Sequence, residues 1–326
     1  MSLDADYIVD RRRMRRKLTF WRIFAVMLAV AAVIGTAWAI RSPNGLASSP
    51  GPYIARVTIE GLIRSDRKRV EALERLGRSS TARAVIVHIN SPGGTTGGSE
   101  QLHDALKELK SKKPMVVVVE GLAASGGYIA AMASDHIVAQ SSALVGSIGV
   151  LFQYPNLSEL MKTVGVKVEE IKSTPLKAAP NMFEPASPEA KAAVEAVVMD
   201  SYDWFKGLVR DSRKLEGQDL TLVTDGRVFT GRQAIGNRLI DELGDEKTAI
   251  AWLAKEKGID PKTRVRDYEL EPRFGDLPFL HVAAAVMLDA AGLGGWAKQI
   301  ETWGTVRAIE RLNLDGLLAL WHPSSN

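Results

Sequence analysis

Between residues 53 and 139 short apolar runs alternate with amphipathic stretches, and this alternation restricts the chain to a small set of folds. Residues 53–59, 84–89 and 115–119 read as strands, the last of them (Met115-Val116-Val117-Val118-Val119) without a polar residue. Continuous apolar runs of this length suit strands buried on both faces. Residues 67–76 and 101–110 read as helices, and a further helix should begin near Ser125, ahead of a strand at 137–139. Strands separated by helices pair in parallel through right-handed crossovers, which predicts an α/β fold with a mostly parallel sheet. Downstream, Ser187-Pro188-Glu189 opens a long helix with serine as N-cap, proline in the first turn and an acid near the positive end of the dipole. Its apolar positions Val194, Val197, Val198, Tyr202, Phe205 and Val209 recur at helical spacing, which predicts that this face packs on the sheet. Residues 225–232 mix turn and strand character, and 233–243 and 246–257 complete the domain.

The N-terminal end obeys a different rule. No charged residue occurs over 23–40, and this run follows Arg11-Arg12-Arg13-Met14-Arg15-Arg16-Lys17. Extended past Arg22 by Leu18-Thr19-Phe20-Trp21, it is long enough to cross a bilayer as a helix, with Arg22 snorkelling near one end. The basic flank then stays cytoplasmic and the rest of the chain is exported. Ala37-Trp38-Ala39 also fits a signal-peptide cleavage site, so a removed leader is the alternative. Eight basic against three acidic residues give 1–41 a charge of +5, which leaves the body at −1 of the chain's net +4. A near-neutral body argues against a nucleic-acid partner. The absence of cysteine excludes thiol catalysis, disulfides and Cys-ligated metals. Ser42 to Pro52 is rich in Pro, Gly and Ser and reads as a linker.

Three glycine-rich turns follow or adjoin the strands: Asn90-Ser91-Pro92-Gly93-Gly94, Gly121-Leu122-Ala123-Ala124-Ser125-Gly126-Gly127 and Val145-Gly146-Ser147-Ile148-Gly149-Val150. Loops at the carboxyl ends of parallel strands converge on one crevice, and tandem glycines can present N–H groups to a developing oxyanion. Ser125 lies on a strand-to-helix bend like a hydrolase nucleophile, although plain N-capping of the helix would explain a serine there equally well. The five histidines supply no base for it: His88 sits inside a strand, His103 on a polar helical stretch, His136 at the far end of the next strand, and His281 and His322 outside the core. A lysine neutralised by burial can replace histidine as the base.

Asn90-Ser91-Pro92-Gly93-Gly94, Ala124-Ser125-Gly126-Gly127-Tyr128, Gly146-Ser147-Ile148-Gly149-Val150 and Asp225-Gly226-Arg227-Val228, in that order, resemble the signal peptide peptidase A family over about residues 53–260. The first motif also occurs in ClpP proteases. The resemblance implies a ClpP/crotonase-like fold and a cofactor-free, metal-free Ser-Lys dyad peptidase that degrades cleaved signal peptides and other membrane-derived peptides. Ser125 takes the nucleophile's place. Of Lys172 and Lys177 the latter matches the base, Ser147 matches the serine that holds it, and Gly126 with Gly94 (preferred to Gly93) match the oxyanion donors. The family forms rings in which each site needs neighbouring subunits, and short members with one motif set are expected to be octamers. The catalytic domain would face the periplasmic side of the inner membrane.

The implied organisation is a cytoplasmic segment 1–17, a transmembrane anchor 18–40, a linker 41–52, a peptidase domain 53–270 and a helical extension 271–326. In the extension, helices are expected near 278–291 and 296–320. The apolar tail over 315–326 is expected to be a terminal core helix, with docking on a neighbour or in a groove as the alternative. Two rival functions remain on the sequence: a crotonase-like acyl-CoA hydratase or thioesterase, which would need acidic groups that the three turns lack, and a scaffold without activity.

Overall fold

A computed structural model describes residues 51–270, the strand at 318–320 and a few helical positions between 17 and 30. The chain divides into two compact units, Met1–Gly51 and Pro52–Asn326. In the first, Phe20, Trp21 and Phe24 are helical, with their rings in mutual contact. Most of the expected anchor, the basic segment and the linker lie outside the described residues, as does the helix expected near 278–291. Among the described residues no helix is long and apolar enough to cross a membrane.

The second unit is built on one sheet. Its strands are β1 (Tyr53–Ile63), β2 (Ala82–Thr95), β3 (Met115–Ala124), β4 (His136–Ala139), β5 (Leu144–Gly146), β6 (Val228–Thr230), β7 (Glu242–Leu243), β8 (Arg264–Asp267) and β9 (Leu318–Leu320). Its main path runs β6-β5-β3-β2-β1-β8, with β4 joining β3 to β7 and β9 pairing with β2. All pairings are parallel except β5 with β6 and β2 with β9. This is the α/β, mostly parallel architecture that the strand–helix alternation predicts.

The valine run of β3 is explained by burial on both faces. On one face Val117 and Val119 join Val85, Val87 and Ile89 beneath α1 (Arg67–Arg78), α2 (Thr96–Lys112) and α3 (Gly126–Ala131). On the other, Val116 and Val118 pack with Ile54, Ile86 and Val138 against Ala249 and Leu253 of α8. That helix spans Glu246–Lys257 and follows α4 (Ser158–Thr163), α5 (Pro188–Arg213), α6 (Gly217–Val223) and α7 (Gly231–Gly236).

Three expectations are corrected. The first two glycine-rich motifs are not loops in their entirety. β2 continues through Gly93 and Gly94 to Thr95, because β1 runs on beside it with Leu62 opposite Gly93 and Ile63 opposite Gly94. The long helix α5 begins where expected, with Ser187 Oγ accepting from Ala190 N at 3.1 Å. However, apart from Ala190 in the first turn, only residues of its second half are fully buried. Phe205 and Val209 are fully buried, each contributing roughly 1.5–3 kcal/mol, whereas Val197 is 51% and Met199 46% exposed. Apolar periodicity marks an amphipathic face but does not show what covers it. Finally, 318–320 is a strand, where the sequence pattern favoured helix.

Candidate active site

β3 delivers Ser125 to the junction with α3 in an unusual backbone state, φ 54° and ψ −117°. A non-glycine residue there costs about 1–3 kcal/mol and persists only when its surroundings hold it. They do so from several sides. Ser125 N–H donates to the Gly146 carbonyl at 2.7 Å, while the Ser125 carbonyl accepts from Tyr128 N at 2.9 Å and Ile129 N at 3.0 Å. Tyr128, fully buried, pins α3 by donating its hydroxyl to the Leu239 carbonyl at 2.7 Å.

The strain aims the side chain away from the helix end. Ser125 Oγ caps nothing, so the N-cap explanation for this serine fails. The residue is 1% exposed and its Oγ is buried with no hydrogen-bond partner among the described residues. Buried polar atoms are normally paired, and an orphan hydroxyl is accounted for by a catalytic role, by local strain or by a water or ligand. No histidine among the described residues is its partner. His88 Nε2 pairs with Glu246 at 2.7 Å, and Glu246 is gripped by Arg56, whose fork holds its carboxyl below the usual range. His103 is buried on α2 against Asp104, and burial pulls its imidazole below the ordinary value. His136 stacks on Trp252 with ring centroids 4.7 Å apart. His281 and His322 lie outside the described residues.

The other site candidates fall on three neighbouring strands. Gly146 pairs with Ala124, which places the end of β5 beside the Ser125 turn. Ser147 follows at φ 50°, 8% exposed, with its N–H donated to the Arg227 carbonyl at 2.8 Å and its hydroxyl unpartnered among the described residues. Gly146 also pairs with Val228 on β6, so the Asp225-Gly226-Arg227-Val228 motif acts as a buttress for Ser147. On the other side, Ser91 is a residue to which sequence reasoning gave no role. Its hydroxyl donates to the Gly61 carbonyl at 2.7 Å and accepts from Gly93 N at 3.0 Å. The Gly93 N–H is therefore occupied. Gly126 opens α3, where first-turn N–H groups have no intrahelical acceptor.

Two glycines are required by close approach of other backbone. A Cβ on Gly127 would sit 2.6 Å from the Ser91 carbonyl oxygen, and one on Gly94 would sit 1.8 Å from that of Ile63. Neither backbone can yield, because both lie in the paired core of the sheet. Gly94→Ala should therefore lower stability by about 3 kcal/mol, read as a shifted urea midpoint at unchanged m.

The two candidate lysines occupy a segment without regular structure. Lys172 contacts Glu170 and Glu184, the latter at 2.8 Å, and these carboxylates raise its ammonium above the ordinary lysine range. Lys177 stands in the turn closed by its own N–H on the Thr174 carbonyl at 3.1 Å. Its side chain is exposed and has no partner among the described residues. The chain thus holds Ser125, Gly94, Gly126 and Ser147 around one sheet end and leaves Lys177 unbonded to any of them. Among the described residues no group of three or more His, Asp or Glu is placed to hold a metal ion.

Similarity to known proteins decides the family. The family model for Peptidase family S49 matches residues 107–260, a span containing Ser125, Ser147 and both lysines. A Synechocystis protein named "Putative protease slr0021" is 37% identical over 209 residues, 64% of this chain and 76% of that one. The chain belongs to peptidase family S49. As an S49 member it is a serine protease, and the Clp protease model also matches its residues 63–144. The chloroplastic serine protease SPPA of Arabidopsis thaliana is 33% identical over 250 residues, 76% of this chain, which spans about a third (35%) of that protein. Among solved structures, ClpP1 of Listeria monocytogenes is similar over 58% of this chain and 91% of that one, with 16% identity and a TM-score of 0.39.

Proposed function

We propose that this S49 peptidase cleaves peptide bonds with a Ser-Lys dyad whose two halves come from adjacent copies of the chain. The observation that carries the reading is the buried, unpartnered Ser125 Oγ in a strained turn, in a chain whose Lys177 is exposed and equally unpartnered. Each is half of a proton-transfer pair. Lys172, held protonated by two carboxylates, is a poor base, which favours Lys177. The surfaces needed for packing are present, since Leu160, Val164, Val166, Ile171, Leu176 and Phe183 are all exposed around the lysine segment. With the uncovered half of α5 they make an apolar face of the kind that closes rings, and an octamer is the expected size.

In the assembled site, neutral Lys177 takes the Ser125 proton as Oγ attacks the peptide carbonyl. Gly94 and Gly126 donate their N–H groups to the oxyanion, the neighbouring Gly93 N–H being engaged with Ser91. Ser147 accepts from the lysine amine and keeps it aimed. The lysine then passes its proton to the leaving amine, and water, deprotonated by the same lysine, hydrolyses the acyl-serine. Residues 18–40 would tether the domain to the inner membrane with 53–270 on the periplasmic side, close to cleaved signal peptides as substrates.

Co-expression of Ser125→Ala with Lys177→Ala chains tests the shared dyad. Each variant alone is inactive, but in a randomly mixed heterologous ring about a quarter of the sites combine an intact serine with an intact neighbouring lysine. Casein cleavage near a quarter of the wild-type rate supports the assignment. Mixed assemblies of the right size that cleave nothing place both residues in one chain.

A further inference from the structure

Four side-chain polar atoms among the described residues are buried without a hydrogen-bond partner. One is Ser125 Oγ. The other three, Arg64 Nε, Arg64 Nη2 and Thr96 Oγ1, belong to two residues that flank Gly94. Arg64 directly follows Ile63, the partner of Gly94 in the β1–β2 register, and Thr96 opens α2 two residues after Gly94. The two segments touch, since a Cβ on Gly98 in the first turn of α2 would sit 2.6 Å from the Arg64 carbonyl carbon. Asp66 N–H donates to Gln101 Oε1 at 2.8 Å, so the chain on both sides of Arg64 is fixed. A guanidinium cannot shed its charge on burial, so its desolvated N–H groups need an acceptor. The described neighbours supply none. Asp66 is committed to capping α1, accepting from Lys68 N at 2.8 Å and Arg69 N at 3.3 Å, and the first turn of α2 holds no acidic residue.

Which atoms are unpaired identifies the shape of the acceptor. Nε and Nη2 are the two donors of one edge of the guanidinium. Arg56 uses that same edge to grip both oxygens of Glu246, at 2.6 Å each. We propose that Arg64 and Thr96 form a subsite that takes the free C-terminal carboxylate of a bound peptide. This rests on the peptidase reading above and adds the feature by which a substrate is chosen. The Arg64 fork meets both carboxylate oxygens, and the Thr96 hydroxyl donates to one of them. A C-terminal amide fits badly, because it presents N–H donors where the arginine also donates. An acidic side chain carries the same group as the terminus, and the test below separates the two. A free C-terminus exists only where a chain ends. Peptides released by an earlier endoproteolytic cut therefore qualify, and the uncut precursor does not. The enzyme thus acts second, after a peptidase that has freed its substrate.

One fluorogenic apolar peptide, made with a C-terminal acid and with a C-terminal amide, tests the subsite. Wild type should favour the acid by about tenfold or more in kcat/KM, chiefly through KM, as a charged hydrogen-bonded contact would give. In Arg64→Gln the ratio should fall to about one. Arg64→Lys, which keeps the charge without the fork, should give an intermediate value. Each ratio compares two substrates on one preparation, so partial unfolding of a variant cancels. Equal rates on acid and amide in wild type overturn the proposal while leaving the peptidase intact. If Arg64→Gln then also breaks up the assembly, Arg64 pairs with a carboxylate of a neighbouring copy instead. A third peptide, amidated and ending in aspartate, separates the sources. Cleavage as slow as that of the plain amide supports the chain terminus, and cleavage as fast as that of the acid overturns it in favour of an acidic side chain. If wild type cleaves none of the three, the peptidase reading fails, and fluorescence anisotropy of the labelled acid and amide on the Ser125→Ala chain decides the subsite. Tighter binding of the acid that Arg64→Gln abolishes supports it, and equal binding overturns it.

Discussion

Replacing Ser125 by alanine should reduce peptide hydrolysis by roughly 10⁴-fold or more, the loss typical of removing a covalent nucleophile. Stability should hardly change, because Ser125 Oγ makes no hydrogen bond whose loss would strand a partner. Ser125→Gly separates the two roles of this position further. Glycine tolerates a φ of 54°, so this variant should be as inactive as the alanine form yet about 1 kcal/mol more stable. Casein or signal-peptide cleavage and thermal melts on the three proteins check both statements. Activity surviving in Ser125→Ala would remove the mechanism. A glycine variant less stable than wild type would show that the turn is not strained.

Lys177→Ala should cost a comparable factor, roughly 10³–10⁴, because in the proposed dyad its amine accepts the Ser125 proton. Lys172→Ala should change the rate by no more than about threefold, since an ammonium engaged with two carboxylates contributes packing of a surface loop and little else. Activity lost in Lys172→Ala and retained in Lys177→Ala would reverse the assignment. Salt gives a second discriminator. Screening weakens the exposed contacts of Lys172 to Glu170 and Glu184, so a role for Lys172 in ordering the loop would appear as an ionic-strength dependence abolished in Lys172→Ala.

Much of the fold was legible because burial writes itself into composition. The uninterrupted valines of β3 need apolar neighbours on both faces, and only a covered, mostly parallel sheet provides them. The ordered glycine motifs were legible for a related reason. Gly94 and Gly127 stand where other backbone comes too close for a side chain, a demand that no other residue meets. What could not be read was anything decided between distant parts of the chain. The tail pattern over 317–321 fits a helix by propensity, and pairing with the Gly93–Thr95 edge makes 318–320 a strand. The exposed half of α5 carries the same periodicity as its buried half, since the pattern does not say which molecule supplies the cover. The role of Ser91, which ties Gly61 to Gly93, was hidden because a serine within a glycine-rich motif has no signature of its own.

The buttressing of the site by β6 has a consequence for how the protein comes into being. Ser147 is fixed by the Arg227 carbonyl, and β5, which pairs with β3 beside the Ser125 turn, is itself paired with Val228–Thr230. Chains are made, and threaded through membranes, from the N-terminus onward. The nucleophile therefore emerges long before the segment that braces its surroundings, and a half-delivered chain has the serine without its setting. A protease built in this order acquires its braced site only once Val228–Thr230 have joined the sheet.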